Sequence, residues 1–524
     1  MMADGDIEDR ARLHDAASAT GALPRTPLRR QVVEAALGRG STVAGSNLEE
    51  FLESTDPAQI VARWFGTGVS DLASRSEPGA LRRMFDRDIA ALDTLLNDQV
   101  DAILHHADFQ KMEAAWRGVS YLLDAAEADE RVRVRLLSMT WEELGRDFDR
   151  AAEFDQSQLF TKVYSEEYGT PGGLPFGLLV CDYAVRHRRL AGMDAKVDDI
   201  TAIAALSQVA AAAFAPCVIG AAPELFGVEN FAELSYVQNF EAGFVGPEYQ
   251  RWRRLQQREE SRFVGLVLPR MLLRDGWKDD GARKDGFRYR EGGSGRGVED
   301  WLWGNGVYAF GAVAIRAFRD WGWFADIRGT RVDNDDAGLI TGLPAPHFST
   351  NEASVYRRPL EVELADKKQK ALEELGFITL SPCRMTPFAA FLGMQSAHVA
   401  PAALSVVEAA NARLSSMLQY VLCVSRFAHY VKVMARDRVG AYTTAAELEK
   451  FLGDWLRRYM IGNDDASFEL KARHPLSGGG VEVSEILGKP GSFACTVHLQ
   501  PHFQIDQVVT AFRLQTEVQG LKAA

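Results

Sequence analysis

The sequence predicts a mixed α/β fold divided among several domains, and three observations carry that expectation. Strand-like apolar runs alternate with helical ones from Arg131 to Arg384. A stripe of apolar residues at helical spacing precedes them between Phe85 and Ile103. After Pro401 a long helical stretch gives way to period-two runs near the end. A chain of 524 residues exceeds what one hydrophobic core organises, so roughly two to four domains are expected. Their expected bounds are an arm over 1–79, a helical segment over 80–130, an α/β region over 131–400, and a helical part ending in β-strands over 401–524.

The arm mixes helical patches (Arg29 to Leu37, Asn47 to Leu52, Ala58 to Phe65) with Gly, Ser, Thr and Pro breakers. Such a segment is either mobile or ordered by a partner. Next, Phe85, Ile89, Leu92, Leu96 and Ile103 recur at spacings of four, three, four and seven, with Val100 alongside. Asp86, Arg87, Asp88, Asp93, Asp98 and Asp101 occupy the other faces. That stripe is the seam of a helix packing on a helix, either within its own domain or from a second chain.

In the alternating region, Val132 to Leu137, Phe176 to Cys181, Cys217 to Ala221, Phe263 to Leu268, Trp323 to Ile327 and Phe377 to Leu380 read as strands. Trp141 to Asp149, Thr201 to Phe214, Val307 to Trp321 and Ala365 to Leu375 read as helices between them. Alternation of this kind favours a sheet covered by helices. The polar, glycine-rich stretch Gly276 to Asp300 reads as a loop. Leu404 to Arg436 and Ala445 to Met460 carry helical apolar stripes. Phe493 to Leu499 then places Phe493, Cys495, Val497 and Leu499 on one strand face, and Val508 to Val518 follows a turn at Pro501. Two such runs suggest a hairpin with an edge open to another strand.

Hydrophobic residues form 47% and charged residues 25% of the chain, an ordinary globular balance. The net charge of −13 opposes a role in coating nucleic acid, which needs clustered Lys and Arg. Five scattered cysteines, Cys181, Cys217, Cys383, Cys423 and Cys495, read as reduced, buried thiols. The acidic start lacks the features of a secretory signal, and Ile203 to Ala222 is Ala-rich and broken by Pro216, which suits a helix and buried strand better than a membrane span. A soluble cytoplasmic protein without membrane insertion is expected.

The search for chemistry names no site. Gly169-Thr-Pro-Gly-Gly precedes a strand, whereas a phosphate loop follows one and opens a helix. Glycines 292, 293, 295 and 297 lack dinucleotide-binding spacing. His105 and His106 are adjacent and so diverge on a helix, marking its C-terminus better than a metal site. His498 and His502 flank Pro501 in a strand–turn context, and Gly-x-Ser-x-Gly does not occur. No catalytic residue, cofactor site or metal site is therefore expected.

Several blocks resemble one family. They include Ile103-Leu-His-His-Ala-Asp-Phe-Gln-Lys, Trp116-Arg117-Gly118, Glu153-Phe-Asp-Gln-Ser and Glu167-Tyr-Gly-Thr-Pro-Gly-Gly. Pro175-Phe-Gly-Leu-Leu, Gln208-Val-Ala-Ala-Ala-Ala, Pro223-Glu-Leu-Phe-Gly, Ser261-Arg-Phe-Val-Gly-Leu-Val-Leu-Pro-Arg and Leu302-Trp-Gly-Asn follow. Asn411-Ala-Arg-Leu, Ser425-Arg-Phe-Ala-His-Tyr-Val-Lys, Arg436-Asp-Arg, Gly488-Lys-Pro-Gly and Pro501-His-Phe-Gln complete the series. In order and together, from about Arg82 onward, they resemble the large subunit of the type VI secretion sheath, the TssC/VipB (also ImpC or EvpB) family. The arm departs from the family pattern, as does Gln500, which stands where the family often carries Arg.

The resemblance implies a structural, non-enzymatic protein with a contractile, phage tail-like sheath fold. Such subunits pair with a small TssB/VipA-like sheath subunit and self-assemble helically around an inner tube of Hcp, anchored on a baseplate. Contraction propels tube, spike and effectors outward, and a ClpV-like AAA+ ATPase dismantles the spent cylinder. The resemblance makes Phe493, Cys495, Val497, Leu499, Val508 and Leu514 candidates for strands shared between subunits. Phe85, Ile89, Leu92, Leu96 and Ile103 become candidates for contact with the small subunit. Arg413, Arg426 and Lys432 become candidates for the tube-facing wall, with packing inside the chain an equal alternative. An accessory paralogue is the second reading, supported by the unusual arm. An α/β enzyme is the third, and would need a pocket with convergent polar groups.

Overall fold

The computed structural model describes residues 28–36, 45–66, 79–170, 172–188, 197–277, 279, 282, 287–291, 301–324, 327–329, 338–344, 358–383, 386–399, 406–437, 444–463, 466–486, 493–502 and 512–518. They belong to two compact units, one drawn from residues 1–106 and 276–296, the other from 107–275 and 297–524. The segment 80–130 is thereby divided at His106.

The first unit contains helices α1 (Leu28–Ala36), α2 (Gly45–Glu53), α3 (Pro57–Phe65) and α4 (Ala80–Leu104). Helix α3 starts where the Asp56 carboxylate accepts the Ala58 N–H at 3.0 Å and Pro57 fills the first helical position. It stops at Gly66, whose φ of 73° suits only a residue without Cβ. Its apolar end meets α4 through Phe65 and Phe85, edge to face at 5.1 Å. Helix α4 ends at His105, the helix terminus expected there.

The second unit is built on a six-stranded sheet in the order β1-β2-β3-β7-β8-β6. Its members are β1 (Leu179–Val185), β2 (Cys217–Ala221), β3 (Val264–Leu268), β6 (Leu339–Ile340), β7 (Ile378–Pro382) and β8 (Ala389–Phe391). The first four strands in that order run parallel, and β8 then pairs antiparallel with β7 and β6. Strands β4 (Met271–Arg274) and β5 (Leu302–Gly304) form a separate antiparallel pair.

Helices α5 (Ala107–Ala126), α6 (Trp141–Arg150), α7 (Asp199–Ala213), α8 (Val307–Trp321) and α9 (Asp366–Glu374) accompany the sheet. Cys217, Ile219, Val264, Leu266 and Leu268 share one core with α7 and Trp252. Val218, Val267, Ile378 and Leu380 share another with α5 and α8. Both faces are covered, which is why β2 and β3 read as continuous apolar runs.

The C-terminal part contains α10 (Val406–Ser415), α11 (Leu418–Asp437), α12 (Ala445–Arg457) and a sheet ordered β11-β10-β9. Strands β9 (Leu476–Glu485), β10 (Phe493–Pro501) and β11 (Phe512–Val518) run antiparallel, with Val497 opposite both Val481 and Leu514.

Four differences from the sequence reading have physical causes. Val132 to Leu137 is neither helix nor strand and pairs with no strand among the described residues. Trp323 sits in a bend rather than a strand, and residues 325–326 lie outside the described set. The long helix from Leu404 is interrupted at Ser416 and Met417. There the Ser415 and Ser416 hydroxyls donate to the Ala412 carbonyl, at 2.9 and 2.7 Å, and Met417 bridges Gln395. The expected hairpin is a three-stranded sheet, because β9 was hidden by Gly478, Gly479 and Gly480. A Cβ on Gly479 would lie 2.9 Å from the His498 carbonyl oxygen and 3.2 Å from Leu456, so the strand needs glycine there.

Candidate assembly interface

The α4 stripe, left open between packing within its own domain and pairing with a second chain, is largely exposed in the chain. Ile89, Leu96 and Ile103 are 52%, 48% and 58% exposed, while Asp88 and Asp101 are buried. The buried carboxylates are paired, which lets a polar face pack. Asp88 accepts the Trp64 indole N–H at 3.0 Å and the Arg29 guanidinium at 2.8 Å. Asp101 accepts the Tyr289 hydroxyl at 2.7 Å. Just beyond the helix, His105 Nε2 meets Glu291 at 3.0 Å. Phe85 packs on Phe65 and Leu92 is half-buried, leaving Ile89, Leu96 and Ile103 as an exposed row among the described residues. Pattern alone could not foresee this, because the acceptors' partners lie far away in sequence.

In the terminal sheet, Phe493, Cys495, Val497 and Leu499 all face inward, against Phe427, Val431, Leu448, Leu452 and Leu456 of α11 and α12. Trp323 stacks on Phe427 at 4.4 Å and meets Tyr459 edge-on at 5.2 Å, extending that core. These four side chains are therefore buried within one chain. What the sheet leaves for a neighbour is main chain at its edges, since β10 is the middle strand. Leu514 lies in β11 opposite Val497, and Val508 falls outside the described residues.

The three basic candidates separate. Arg413 is exposed and reaches Glu373 at 3.4 Å. Arg426 instead lies over Phe318 and Tyr430, 5.2 and 4.5 Å from the ring centres. Lys432 Nζ sits 5.0, 5.0 and 4.7 Å from the rings of Tyr164, Tyr168 and Phe214. Both cations are held by rings of their own chain. Burial draws the Lys432 ammonium down to about 8, against which the ring faces favour its charged form. One turn earlier, His429 is buried with Nε2 3.3 Å from the Ala213 carbonyl, and burial, the largest cause, pushes it down to about 3.

The blocks that carry the family resemblance act as fasteners between distant segments. Asn305 donates to the Tyr183 carbonyl at 2.9 Å and accepts the Val307 N–H at 3.2 Å, tying β1 to the start of α8. Gly220 leaves room for it, because a Cβ there would come within 2.6 Å of the Asn305 amide. Arg436 donates to the carbonyls of Glu167 and Thr170, each at 3.0 Å. Glu167 itself is buried, accepting the Leu174 N–H at 2.8 Å and the Arg135 guanidinium. Gly118 lets α5 cross α8, with the Tyr308 ring where a Cβ would stand. Burial raises Asp182, which accepts the Tyr308 hydroxyl at 2.8 Å. All five cysteines are free thiols, with Cys181 and Cys383 half-buried. Among the described residues no cluster of three or more His, Cys, Asp or Glu could hold a metal ion. No helix among them is long and apolar enough to cross a membrane.

Known proteins match the chain along most of its length. Residues 86–398 match the VipB family, described as EvpB/VC_A0108, tail sheath N-terminal domain. Residues 407–518 match VipB_2, described as EvpB/VC_A0108, tail sheath gpW/gp25-like domain. The type VI secretion system sheath protein TssC1 of Pseudomonas aeruginosa PAO1 is 36% identical over 443 residues, covering 83% of this chain and 86% of that protein. A solved sheath tail protein from Desulfitobacterium hafniense aligns with a TM-score of 0.27 and 8% identity, over 63% of this chain and 62% of its own, too remote to carry any argument. Matched by sheath domains in both parts and by TssC1 along most of its length, the chain belongs to the TssC/VipB family of type VI secretion sheath large subunits.

Proposed function

We propose that this chain builds the wall of a contractile type VI secretion sheath and stores the work of contraction in its contacts with neighbouring subunits. It pairs with a small TssB/VipA-like subunit, the heterodimers stack helically around an Hcp tube on a baseplate, and a ClpV-like ATPase recycles the contracted form. Its role is structural rather than catalytic, and its site of action is the bacterial cytoplasm.

The observation that best supports strand sharing is the terminal sheet. Its middle strand is anchored by four buried side chains, while β11 has no strand beyond it among the described residues. A sheet fixed on one face and open at its edge can accept a strand from a neighbour through main-chain hydrogen bonds. The exposed row Ile89, Leu96 and Ile103 supports the pairing with the small subunit.

Negative-stain electron microscopy of the full chain co-expressed with its small subunit tests the reading, beside a truncation ending before Phe512. The full chain should give hollow, striated cylinders, and the truncation soluble heterodimers only. Cylinders from the truncation would remove the shared-strand mechanism. Heterodimers alone from the full chain, where a known family pair assembles, would favour an accessory paralogue.

A further inference from the structure

The segment 133–138 carries a strand's alternating side-chain pattern and has no strand partner among the described residues. Val132 and Val134 alternate with Arg131, Arg133 and Arg135, and Leu136 and Leu137 are 62% and 52% exposed on successive positions. Among the described residues no backbone N–H or C=O from Arg133 to Ser138 has a hydrogen-bond partner. The ends are nevertheless fixed. Before the segment, the Val132 N–H reaches the Asp129 carbonyl at 3.0 Å and Arg131 donates to the Arg319 carbonyl at 2.6 Å. After it, the Met139 carbonyl accepts the Tyr183 hydroxyl at 2.5 Å, and Thr140 opens α6 with a capping box. Midway, Arg135 pairs with Glu167 and lies 5.4 Å from the Phe176 ring centre. A segment fixed at both ends, with both rows of its main-chain groups open among the described residues, is a template for pairing.

We propose that residues 133–138 receive an extended strand of the small sheath subunit, one that alternates acidic and apolar side chains. The inference rests on the sheath reading above. Strand addition satisfies the open main chain and covers Leu136 or Leu137. Charge selects the partner. Among the described residues Arg133 has no acidic partner, and an acidic group opposite it completes an ion pair across the ladder. A second copy of the same segment would instead place arginine rows against each other, which is unfavourable.

Hydrogen exchange on the full chain, alone and co-purified with the small subunit, tests the proposal. Alone, the amides of 133–138 should exchange within seconds. In the complex every second one should slow by roughly a hundredfold, because a single added strand bonds one edge only. Leu136→Pro and Leu137→Pro provide an independent arm, since their N–H groups point to opposite edges. One should weaken co-purification and the other spare it, with the free chain's thermal midpoint unchanged in both. Unchanged exchange in a complex that does form would overturn the strand while leaving the sheath reading intact. So would uniform slowing of all six amides. Concentration-dependent protection in the chain alone would assign the edge to a second copy. Failure of the wild-type chain to bind any small subunit would remove the sheath reading and this inference together.

Discussion

Replacing Ile89, Leu96 and Ile103 together by serine separates partner contact from folding, because this row is exposed in the chain itself. Burying a whole Ile or Leu side chain is worth about 1.5–3 kcal/mol. With exposures of 52%, 48% and 58%, half of each remains for a partner to cover, or about 1 kcal/mol apiece. The triple change should then remove about 3 kcal/mol of association, on the order of a hundredfold in Kd. The chain's own stability should fall by up to about 3 kcal/mol, from the half of each side chain already covered and from lower helix propensity. Calorimetric titration with the small subunit and urea denaturation of the free chain read the two quantities. Asp88→Ala is the converse control: it strands the Trp64 N–H and the Arg29 guanidinium, costing about 1–3 kcal/mol of stability with little direct effect on affinity. Unchanged affinity in a folded triple mutant would refute the assignment of the stripe. A stability loss well above 3 kcal/mol would show that the row packs internally.

Two further outcomes follow from the second unit. Gly118→Ala puts a methyl group 2.4 Å from the Tyr308 ring, which is held by its bond to Asp182. Overpacking of about 1–3 kcal/mol, offset by up to about 1 kcal/mol of helix propensity, should lower the urea midpoint, and a wild-type midpoint would mean that α5 slides freely. His429 is neutral in the fold, pushed to about 3 against an ordinary 6.5. Below 6.5 the unfolded chain binds the proton first, so its contribution is intact above that pH and is lost as pH falls towards 3. Between pH 7 and about 4 this amounts to about 3 kcal/mol; His429→Gln should flatten that part of the stability profile, and an unchanged slope would exclude His429 as its source.

The central sheet was legible because Cys217 to Ala221 and Phe263 to Leu268 are unbroken apolar runs, the mark of strands covered on both faces. Helix Val307 to Trp321 was equally plain, ending at Gly322 with a φ of 75°. What escaped depends on distant partners. Strand β9 hides behind three glycines that it needs to pass close to β10 and α12. The buried polar face of α4 depends on Trp64, Arg29 and Tyr289, which no local periodicity connects to Asp88 and Asp101. For Arg426 and Lys432 the sequence left a tube-facing wall and packing inside the chain as equal alternatives, and aromatic rings from other segments lie against both. Charge in a sequence marks where a group can be solvated, and only the fold decides whether rings or water surround it.

These features divide the molecule into parts suited to opposite demands. A contracting wall must rotate its blocks without deforming them, and must keep them joined while they move. Rigidity comes from strands buried on both faces and from fasteners such as Asn305, Arg436 and Gly118, which link segments far apart in sequence. On the proposed reading, joining falls instead to groups left open among the described residues: the α4 row, the 133–138 segment and the edges of the terminal sheet. Main-chain ladders suit that task, since a few bonds at a strand end persist while the blocks beyond them turn. On this argument a fastener substitution should weaken the folded chain before assembly. Substitution at an open edge should leave the chain intact and weaken only the wall.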